Sequence, residues 1–426
     1  MTQKHHIVIV GGGAGGLELA TQLGQRIGKK SGFQVTLVDC NLTHIWKPLL
    51  HEIAAGTLNG ATEEINYFAH AKKNHYKFQL GYLQFIDREN KQLILAPLVQ
   101  DDLKLAEQRH ISYDTLVLSI GSTSNDFGTP GARENCHFLD NRLQADLFQK
   151  DLLHLYLQAH AQPRTKPLNI TIIGAGATGV ELAAELYQAA KDFHHYGLDG
   201  IDPTKVRINV IEAADRILPA LSDKVANGAL EQLKKFGVHV YTQHRVEKID
   251  ADHVYCQGDQ VFDSNLTVWA AGIKAPAITQ NFSLSLDRIG RIKVYATLQS
   301  IDDPNIFAFG DCAHCQPEGN RPPLAPRAQI ASQQADFLVN AILLKIKQRP
   351  IPLFRFTDRG SLVSLTQHTA IGEIFGNLHI EGIAAKTMYH SLYRVHQAAI
   401  YGYTKAGFLA ARDFFGKGTA PVIKLH

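Results

Sequence analysis

Cys312 and Cys315 lie in the stretch GDCAHC, directly after Asp311, with the spacing of a redox-active dithiol or of one half of a metal site. A dithiol there could store two electrons. The sequence contains five cysteines, which are too sparse and uneven for the disulfide framework of a small secreted domain, and this predicts a reducing compartment. No second Cys/His pair of matching spacing is evident in the sequence, so we predict no metal site.

A second kind of chemistry is indicated by IVIVGGGAGGLELATQL, where a β-branched run precedes Gly11, Gly13 and Gly16 and then the period of an amphipathic helix. This pattern is typical of a dinucleotide cradle, because the turn needs positive φ and the backbone must approach a pyrophosphate closely. The helix N-terminus supplies N–H groups and a positive dipole end for the anion. The next predicted strand, FQVTLVD, ends in Asp39, which we expect to accept the hydroxyls of an adenosine ribose.

The same pattern recurs in LNITIIGAGATGVELAAEL, with Gly174, Gly176 and Gly179 between a predicted strand and a predicted helix. Its ribose-binding acid would be Glu212, at the end of VRINVIE. The segment KDFHHYGLDGIDPTK accounts for the longer gap before this acid and is interpreted as an insertion between helix and strand. Two cradles in one chain predict two bound dinucleotides.

Three further apolar strands complete the pattern. YDTLVLSIGSTSNDFGTPG and NLTVWAAGIKA each end in a turn of glycine and small residues, and NIFAFGDCAHC ends at Gly310-Asp311. With the two cradles, these segments resemble the two-dinucleotide flavoproteins of the pyridine-nucleotide:disulfide oxidoreductase superfamily. The resemblance implies that the first cradle binds FAD without a covalent bond, that the second binds NAD(P)H, and that Asp311 hydrogen-bonds the ribityl chain of the flavin.

The resemblance predicts an α/β fold with two Rossmann-like dinucleotide-binding domains, and a length of 426 residues agrees with more than one globular unit. The FAD domain is expected to be discontinuous, with residues 1–160 and 289–345 on either side of an NADH-binding domain at 161–288. Residues 346–426 are expected to form a C-terminal domain with an α-helical membrane-associating segment.

The cysteine pair is not where this superfamily places a catalytic dithiol. Members that work through a cysteine pair carry it in the early helix of the first domain or in the nicotinamide domain, within reach of the isoalloxazine ring. The corresponding stretches here, THIWKPLLHEIAAGTLNG and GATGVELAAE, contain no cysteine. We therefore predict that the electrons are held on flavin and that Cys312 and Cys315 are small packing residues.

Seven segments, spread in order over nearly the whole chain, resemble the type II NADH dehydrogenases: NLTHIWKPLLHEIAAGTL, SIGSTSNDFGTPG, GAGATGVELAAEL, IEAADRILP, VWAAGIKA, FAFGDCA and APRAQIASQQA. SLYRVHQAAIYGY and the terminal KLH resemble the proteobacterial branch. The resemblance implies a single-subunit NADH:quinone oxidoreductase that oxidises NADH through FAD and reduces a ubiquinone-type quinone by two electrons without pumping protons. It also implies a homodimer.

The resemblance assigns roles to particular residues. AQIASQQ, with Ala328, Gln329 and Gln333, would line the quinone side of the flavin. Lys47 and Pro48 would approach the isoalloxazine, where a cation stabilises anionic reduced flavin. Glu181 would lie near nicotinamide and flavin, and a partly buried glutamate with a raised pKa suits proton delivery to quinone. The other residues expected to contact the cofactors are Gly12, Ala14, Gly15, Cys40, Asn41, Leu83, Gly121, Ala271 and Gly272.

Three other functions share parts of this pattern. A sulfide:quinone oxidoreductase has the same fold but needs cysteines flanking the flavin and has no nicotinamide site, whereas the second cradle with Glu212 is intact. A soluble reductase of ferredoxin or disulfide would explain the nucleotide sites but not AQIASQQ. A flavoprotein of the apoptosis-inducing type, in which the redox domain serves as a binding module, stays open on motifs alone.

The charge distribution points to a membrane surface. The formal net charge is only +3, which gives no support for nucleic-acid binding, yet residues 386–426 contain six Lys and Arg against the single acid Asp413. Apolar residues from Met388 to Ala406 recur at three and four positions and predict one helical face. The run IVIV is too short for a signal peptide, and no spanning stretch is evident. We expect peripheral attachment to the cytoplasmic side of the bacterial inner membrane.

The flavin interpretation predicts that the cysteine pair is dispensable. Cys312→Ser combined with Cys315→Ser is expected to leave NADH:quinone turnover largely intact, because the hydride path runs through flavin alone. Steady-state turnover and the visible flavin spectrum measure this. A loss of more than about 100-fold, ~2.7 kcal/mol of transition-state stabilisation, with FAD still bound would instead support the dithiol.

Overall fold

The computed structural model describes residues 4–100, 102–162, 166–197, 203–317, 322–366, 368–376 and 378–416, with the backbone alone for 413–416. Its α-helices are α1 (Ala14–Ile27), α2 (Leu50–Ala55), α3 (Gly60–Glu63), α4 (Tyr67–Asn74), α5 (Ala132–Asn135), α6 (Arg142–Ala161), α7 (Ala177–His195), α8 (Asp223–Lys235), α9 (Ala328–Ile346), α10 (Gly382–Tyr401) and α11 (Tyr403–Gly416).

The β-strands fall into three groups along the chain. Those before α6 are β1 (His5–Val10), β2 (Phe33–Asp39), β3 (Thr43–His44), β4 (Ile65–Asn66), β5 (Lys77–Leu80), β6 (Leu83–Asp87), β7 (Gln92–Leu95), β8 (Leu98–Gln100), β9 (Leu103–Ala106), β10 (Arg109–Ser112), β11 (Thr115–Leu118), β12 (Thr123–Ser124) and β13 (His137–Phe138). Those between α6 and α9 are β14 (Leu168–Ile173), β15 (Val206–Ile211), β16 (His239–Tyr241), β17 (Val246–Ile249), β18 (His253–Cys256), β19 (Gln260–Asp263), β20 (Leu266–Trp269), β21 (Ile273–Lys274), β22 (Ile292–Val294), β23 (Ile306–Ala308) and β24 (Ala313–Cys315). Those after α9 are β25 (Gly360–Ser364), β26 (Ala370–Ile374) and β27 (Leu378–Glu381).

The first sheet consists of parallel strands in the order β23-β11-β1-β2-β5. The last four side chains of β1 are all buried because strands flank it on both sides, which explains why IVIV is continuously apolar. Strand β23 lies beside β11, with Leu116 opposite Ile306, although the second sheet intervenes in the chain. The chain therefore leaves the first sheet and later returns to it.

The second sheet repeats this plan with parallel strands in the order β13-β20-β14-β15-β16. The α/β fold with two Rossmann-like units, predicted from the sequence, is confirmed. The outgoing and returning segments run side by side as the antiparallel pair β12 and β21, where Thr123 lies opposite Lys274. Since β13 already belongs to the second sheet, we propose that the inserted domain extends from β12 to β21 rather than over 161–288.

Residues after α9 form a small antiparallel sheet, β25-β26-β27, which α10 covers. Ile371 of β26 is buried and packs into the hydrophobic core of the second domain, near Gly228 of α8. On α10, the side chains of Tyr389, His396 and Ile400 are buried as well. The C-terminal region is thus packed against both nucleotide-binding units.

The helical face expected from Met388 to Ala406 is interrupted in the structure. Gly402, with φ of 85°, separates α10 from α11, and Ala406 is buried whereas Tyr403 is 88% exposed. Lys386, counted above with the basic tail, is 5% exposed and points into the protein. Within the described residues, no helix combines the length and apolar character needed to cross a membrane. Residues 417–426 of the predicted tail lie outside the described residues.

Candidate functional site

The first glycine-rich loop joins β1 to α1, and neighbouring backbone atoms leave no room for a Cβ at Gly11 or Gly16. Gly11 has φ of 99°, and a Cβ on Gly16 would lie 1.9 Å from the carbonyl oxygen of Gly11. A Cβ on Gly13 would meet no described atom within 4 Å, so this residue faces open space at the start of α1. Among the described residues no side chain caps this helix, and its first N–H groups are available to a pyrophosphate.

Asp39, at the end of β2, holds this loop from the neighbouring strand. Its Oδ2 accepts the N–H of Gly12 at 2.6 Å, and its Oδ1 accepts the N–H of Asn41 at 2.8 Å. Burial raises the pKa of the Asp39 carboxyl, while these hydrogen bonds lower it. The carboxylate lies at the edge of the cradle, so the structure is compatible with its predicted role at a ribose.

The second glycine-rich loop, between β14 and α7, has the same construction. Gly174 has φ of 103°, and a Cβ on Gly179 would lie 2.0 Å from the carbonyl oxygen of Gly174. A Cβ on Gly176 would meet nothing within 4 Å among the described atoms. The loop also lies against the turn after β20, because a Cβ on Gly174 would come within 2.7 Å of the backbone of Ala271. Gly272 follows with φ of 66°.

Glu212, directly after β15, occupies the position that Asp39 has in the first cradle. Its Oε2 accepts the N–H of Ala175 at 2.7 Å, and its Oε1 accepts the N–H of Ala214 at 2.8 Å. The nearby guanidinium of Arg216 is engaged elsewhere, with the carboxylate of Asp223 and with the carbonyl oxygen of Leu221 at 2.8 Å. Of the insertion predicted ahead of β15, residues 198–202 lie outside the described residues.

Asp311 lies in a 3₁₀ turn directly after β23, at the same edge of the first sheet as the cradle. Its Oδ2 accepts the hydroxyl of Ser122 at 2.8 Å. Gly310 has φ of 70° and donates its N–H to Oε1 of Gln334 at 2.8 Å, so α9 fixes this corner. Gly121, with φ of 70°, has open space where a Cβ would be. The predicted FAD contacts Asp311 and Gly121 therefore follow adjacent strands.

Lys47 and Pro48 begin the 3₁₀ turn Lys47–Leu49. The Nζ of Lys47 donates to the carbonyl oxygen of Ser122 at 3.0 Å and lies 3.7 Å from Oδ1 of Asp140. Because Ser122 also binds Asp311, the structure brings Lys47 to the loop that carries the predicted flavin contacts. Its side chain remains 44% exposed, and its contact with the isoalloxazine stays a prediction.

Gln329 and Gln333, predicted to line the quinone side, both use their amides on the backbone of residues 357–360. Gln329 donates to the carbonyl oxygen of Gly360 at 3.2 Å and accepts the N–H of Arg359 at 3.1 Å. Gln333 exchanges the same pair of hydrogen bonds with Thr357, at 2.9 and 3.1 Å. The two glutamines fasten this segment to α9, and their contact with quinone stays a prediction.

The other residues predicted to contact the cofactors differ in their position and exposure. Ala14 and Gly15 form the first turn of α1. Cys40 is exposed beside Asn41, whose amide reaches its sulfur at 3.4 Å. Leu83 is 5% exposed and packs in the core of the first domain, and Ala328 is exposed at the start of α9. A role for Leu83 at the cofactor would therefore rest on packing or backbone contacts.

Cys312 and Cys315 are covered by protein. Their exposed fractions are 0% and 2%, and Sγ of Cys312 lies 3.3 Å from the carbonyl oxygen of Phe309. Burial raises the pKa of Cys312 to about 12 and that of Cys315 to about 11. Because the thiolate is the reactive form, this environment supports the prediction that the pair does no redox chemistry.

Glu181 lies in a buried polar cluster between α2, α7, β25 and α10. Its Oε1 accepts the N–H of Ser364 at 3.0 Å, and its Oε2 lies 3.7 Å from Nδ1 of His51. The Nζ of Lys386 donates to the hydroxyl of Ser364 at 2.6 Å, so Ser364 connects the Lys386 ammonium to the Glu181 carboxyl. Glu185, on the next turn of α7, accepts the hydroxyl of Thr57 at 2.7 Å.

The pKa values of this cluster favour neutral forms. Burial raises the pKa of Glu181 to about 8, the nearby Glu52 adds to the rise, and the Ser364 N–H and Lys386 oppose it. Burial lowers the pKa of His51 to about 3, and Lys386 acts in the same direction. At neutral pH the cluster therefore has a carboxylic acid that can release a proton and an imidazole that carries no charge.

Sequence patterns do not identify most members of this cluster. The position after the second cradle identifies Glu181, whereas the sequence presents His51 only within a longer motif and Lys386 only as one of the charges of the C-terminal tail. The available signal was His51-Glu52, two polar residues inside the apolar run of PLLHEIAAG. Ser364 gave no signal, because it acts through its backbone N–H and a hydroxyl far along the chain.

Comparisons with known proteins agree with this architecture. Residues 5–335 match the family model for pyridine nucleotide-disulphide oxidoreductases. The type II NADH:quinone oxidoreductase of Haemophilus influenzae is 40% identical over 99% of this chain and 100% of its own length. A protein of the same name from Staphylococcus aureus is 28% identical over 88% of this chain and 90% of its own. The structure of NDH2 from Plasmodium falciparum in complex with NADH superimposes with a TM-score of 0.83 at 20% identity, covering 99% of this chain and 100% of that one.

The chain therefore belongs to the pyridine nucleotide-disulphide oxidoreductase family and, within it, to the type II NADH:quinone oxidoreductases. The family resemblance stated from sequence motifs is confirmed, and so is the flavoprotein character that it implied. The residues present fit FAD in the first cradle, since the open positions at Gly13 and Gly121 and the uncapped start of α1 lie at one edge of the first sheet.

The environment of Glu181 predicts a specific pH dependence. Because the pKa is about 8 in the folded protein and near 4.5 in the unfolded chain, the ionised carboxyl makes folding less favourable as pH rises from about 4.5 to about 8. Glu181→Gln removes this penalty. The melting temperature of Glu181→Gln minus that of the parent protein should therefore increase as the pH is raised from 5 to 8. Above pH 8 this difference should stay constant.

The same substitution should lower the rate of catalysis although it stabilises the folded protein. If Glu181 supplies a proton, Glu181→Gln should lower quinone-dependent turnover on the order of 100-fold, and the parent rate should fall as pH passes about 8. The exposed Glu231→Gln on α8 is the matched control and should change neither property. A difference in melting temperature that is the same at pH 5 and pH 8 would show that Glu181 titrates normally.

Proposed function

We propose that this protein oxidises NADH through FAD and reduces a membrane quinone to quinol by two electrons, without proton pumping. The observation that carries the proposal is the full-length likeness to the Haemophilus influenzae enzyme. The two cradles of like construction supply the separate sites that FAD and NADH require. When bound, FAD can accept a hydride and return two electrons, so the protein has to bind, orient and supply protons.

The second cradle is built for a nucleotide without a 2′-phosphate. The Glu212 carboxylate is held at the end of β15 by two backbone N–H groups, where it can accept ribose hydroxyls and repel a phosphate. Arg216, the residue whose charge could have offset this repulsion, is bound to Asp223 and Leu221. We therefore expect NADH to be preferred.

Proton balance gives Glu181 its proposed role. The net reaction of NADH, one proton and quinone yields NAD⁺ and quinol, so one proton must come from solution. Glu181 holds a proton at neutral pH because burial raises its pKa to about 8, and Ser364 of β25 links its carboxyl to Lys386 on the buried face of α10. We propose that the Glu181 carboxyl delivers this proton and that Lys47 stabilises negative charge on the reduced flavin.

Membrane attachment is proposed to occur through the C-terminal region. Its exposed apolar side chains include Phe375, Leu378, Ile383, Leu392, Val395, Tyr403 and Phe408. Basic residues of this region, such as Arg394 on α10 and Lys405 on α11, would each gain about 1 kcal/mol of binding free energy near an anionic leaflet. Such a surface suits peripheral binding at the cytoplasmic side of the bacterial inner membrane, next to a ubiquinone-type substrate. A homodimer is part of the same proposal by family resemblance.

An assay of purified protein with NADH or NADPH and a short-chain ubiquinone tests the function directly. We expect quinol formation equal to NADH consumed, with kcat/KM for NADH at least about 100-fold above that for NADPH. Glu212→Gln should narrow this preference about tenfold, because the repelling charge is lost. Arg216→Gln is the control and should keep the preference. NADH oxidation without quinol formation would contradict the proposal.

Truncations separate the anchor from the fold. A chain ended after residue 402 lacks α11, with Tyr403, Lys405 and Phe408, and should bind vesicles of anionic lipid more weakly while FAD stays bound and NADH still reduces a small soluble acceptor. A chain ended after residue 385 should instead lose FAD or fail to fold, because it removes the buried Lys386, Tyr389 and His396. Co-sedimentation measures the first effect. If the chain ended after 402 sediments with vesicles as fully as the intact protein, α11 is not the anchor.

A further inference from the structure

Gly12, in the middle of the first glycine-rich loop, is held by hydrogen bonds to both its backbone N–H and its backbone carbonyl. Its N–H donates to Oδ2 of Asp39, as described above. Its carbonyl oxygen accepts the hydroxyl of Tyr67 at 2.6 Å and Nδ1 of His44 at 2.9 Å. These bonds fix which way the loop presents its N–H groups to an anion. The bond from His44 leads out of the cradle and into a chain of buried side chains.

That chain ends on the C-terminal helix and on α1. Nε2 of His44 lies 3.1 Å from Nε2 of His396 on α10, and Nδ1 of His396 lies 2.7 Å from Oε1 of Glu18 on α1. The other oxygen of Glu18 accepts the hydroxyl of Ser332 on α9 at 2.7 Å. His44, His396 and Glu18 are 3%, 5% and 1% exposed, so water does not compete for these bonds.

The carbonyl oxygen of Gly12 sets the direction of the two hydrogen bonds that His44 makes. Because a carbonyl only accepts, Nδ1 of His44 must be the donor. Burial lowers the pKa of His44 to about 3, so its ring is neutral and its Nε2 is an acceptor. Nε2 of His396 must then donate. One further proton lies between His396 and Glu18, either as an imidazolium–carboxylate pair or as a neutral imidazole with a carboxylic acid.

Aromatic contacts hold the imidazole of His396 in this orientation. Trp46, two residues after His44, stacks on His396 with ring centroids 5.8 Å apart and on Tyr393 at 5.1 Å. The hydroxyl of Tyr393 donates to Oε2 of Glu63 at 2.7 Å. The segment that carries His44, Trp46 and Lys47 is therefore clamped by one face of α10, while Val395 on the same helix is 58% exposed.

We propose that His396 is a positioning residue for FAD, acting from the C-terminal helix through His44 on the Gly12 peptide of the pyrophosphate loop. The inference rests on the proposed binding of FAD in the first cradle and adds a dependence that the cradle motif does not contain. It follows that α10 serves the flavin site with its buried face, whatever its exposed face contacts.

The test is the affinity of the apoprotein for FAD, measured by flavin fluorescence on titration. His396→Phe keeps the ring and its stacking but removes both hydrogen bonds, and it should raise the dissociation constant about tenfold. His390→Phe, at an exposed position of the same helix, is the matched control and should leave the constant unchanged. An unchanged constant in His396→Phe would overturn the inference.

Two further variants distinguish positioning from general loss of stability. Glu18→Gln can donate to Nδ1 of a neutral His396 and keeps the chain of donors intact, so it should retain the parent affinity, whereas Glu18→Leu should weaken FAD binding as His396→Phe does. In His44→Asn, the amide can still donate to Gly12 but no longer reaches α10. Adding His396→Phe to His44→Asn should then change the dissociation constant less than about twofold.

The outcomes separate this inference from the proposed function. If the parent protein binds no FAD, the proposed function itself fails. If the parent binds FAD but His396→Phe weakens binding by the same factor with and without His44→Asn, His396 acts on stability alone and the inference fails. Should His396→Phe not fold, the comparison of Glu18→Gln with Glu18→Leu decides in its place, and equal affinities in those two variants would overturn the inference.

Discussion

A carboxylate at the end of one strand holds the backbone N–H of the glycine-rich loop on the adjacent strand, and both nucleotide cradles depend on this contact. Asp39 binds Gly12 at 2.6 Å, and Glu212 binds Ala175 at 2.7 Å. Each contact requires the two strands to be parallel and neighbouring, so that their carboxyl ends meet at one edge. It also keeps the first N–H groups of α1 and α7 directed to open space. The contact thus depends on the sheet order and on the tight glycine turn, and it lies beside the uncapped start of each helix.

A third element is linked by hydrogen-bonded side chains to both nucleotide-binding units. The C-terminal helix α10 is linked to the first cradle through His396, and it reaches the buried polar cluster around Glu181 through Lys386. The antiparallel sheet β25-β26-β27 adds Ser364, whose N–H binds Glu181. The last part of the chain therefore contributes buried polar groups next to both nucleotide-binding units.

The sequence was informative where chemistry depends on local spacing. Gly11, Gly16, Asp39 and Glu212 could be placed because strand, turn and helix follow one another without a break, and Asp311 because it ends a recognisable strand. Lys386 could not be placed, since an amphipathic period does not say whether a lysine meets water or a buried serine hydroxyl. Nor did it reveal that Gly402 would end one helix and begin another. Contacts such as His44 with His396 join residues that no local pattern relates.

The two buried acid–base clusters differ in how completely their polar atoms are matched. In the chain from Gly12 to Ser332, each nitrogen and oxygen has a partner within 3.1 Å, which suits a group that must hold one geometry. Around Glu181, Nε2 of His51 is buried without a hydrogen-bond partner among the described residues, and burial raises the pKa of the carboxyl to about 8. This incomplete matching, together with a carboxyl that loses its proton only near pH 8, agrees with the proton delivery proposed for Glu181. Burial alone thus does not distinguish the Glu18 and Glu181 carboxyls. The hydrogen bonding of the polar atoms around them does.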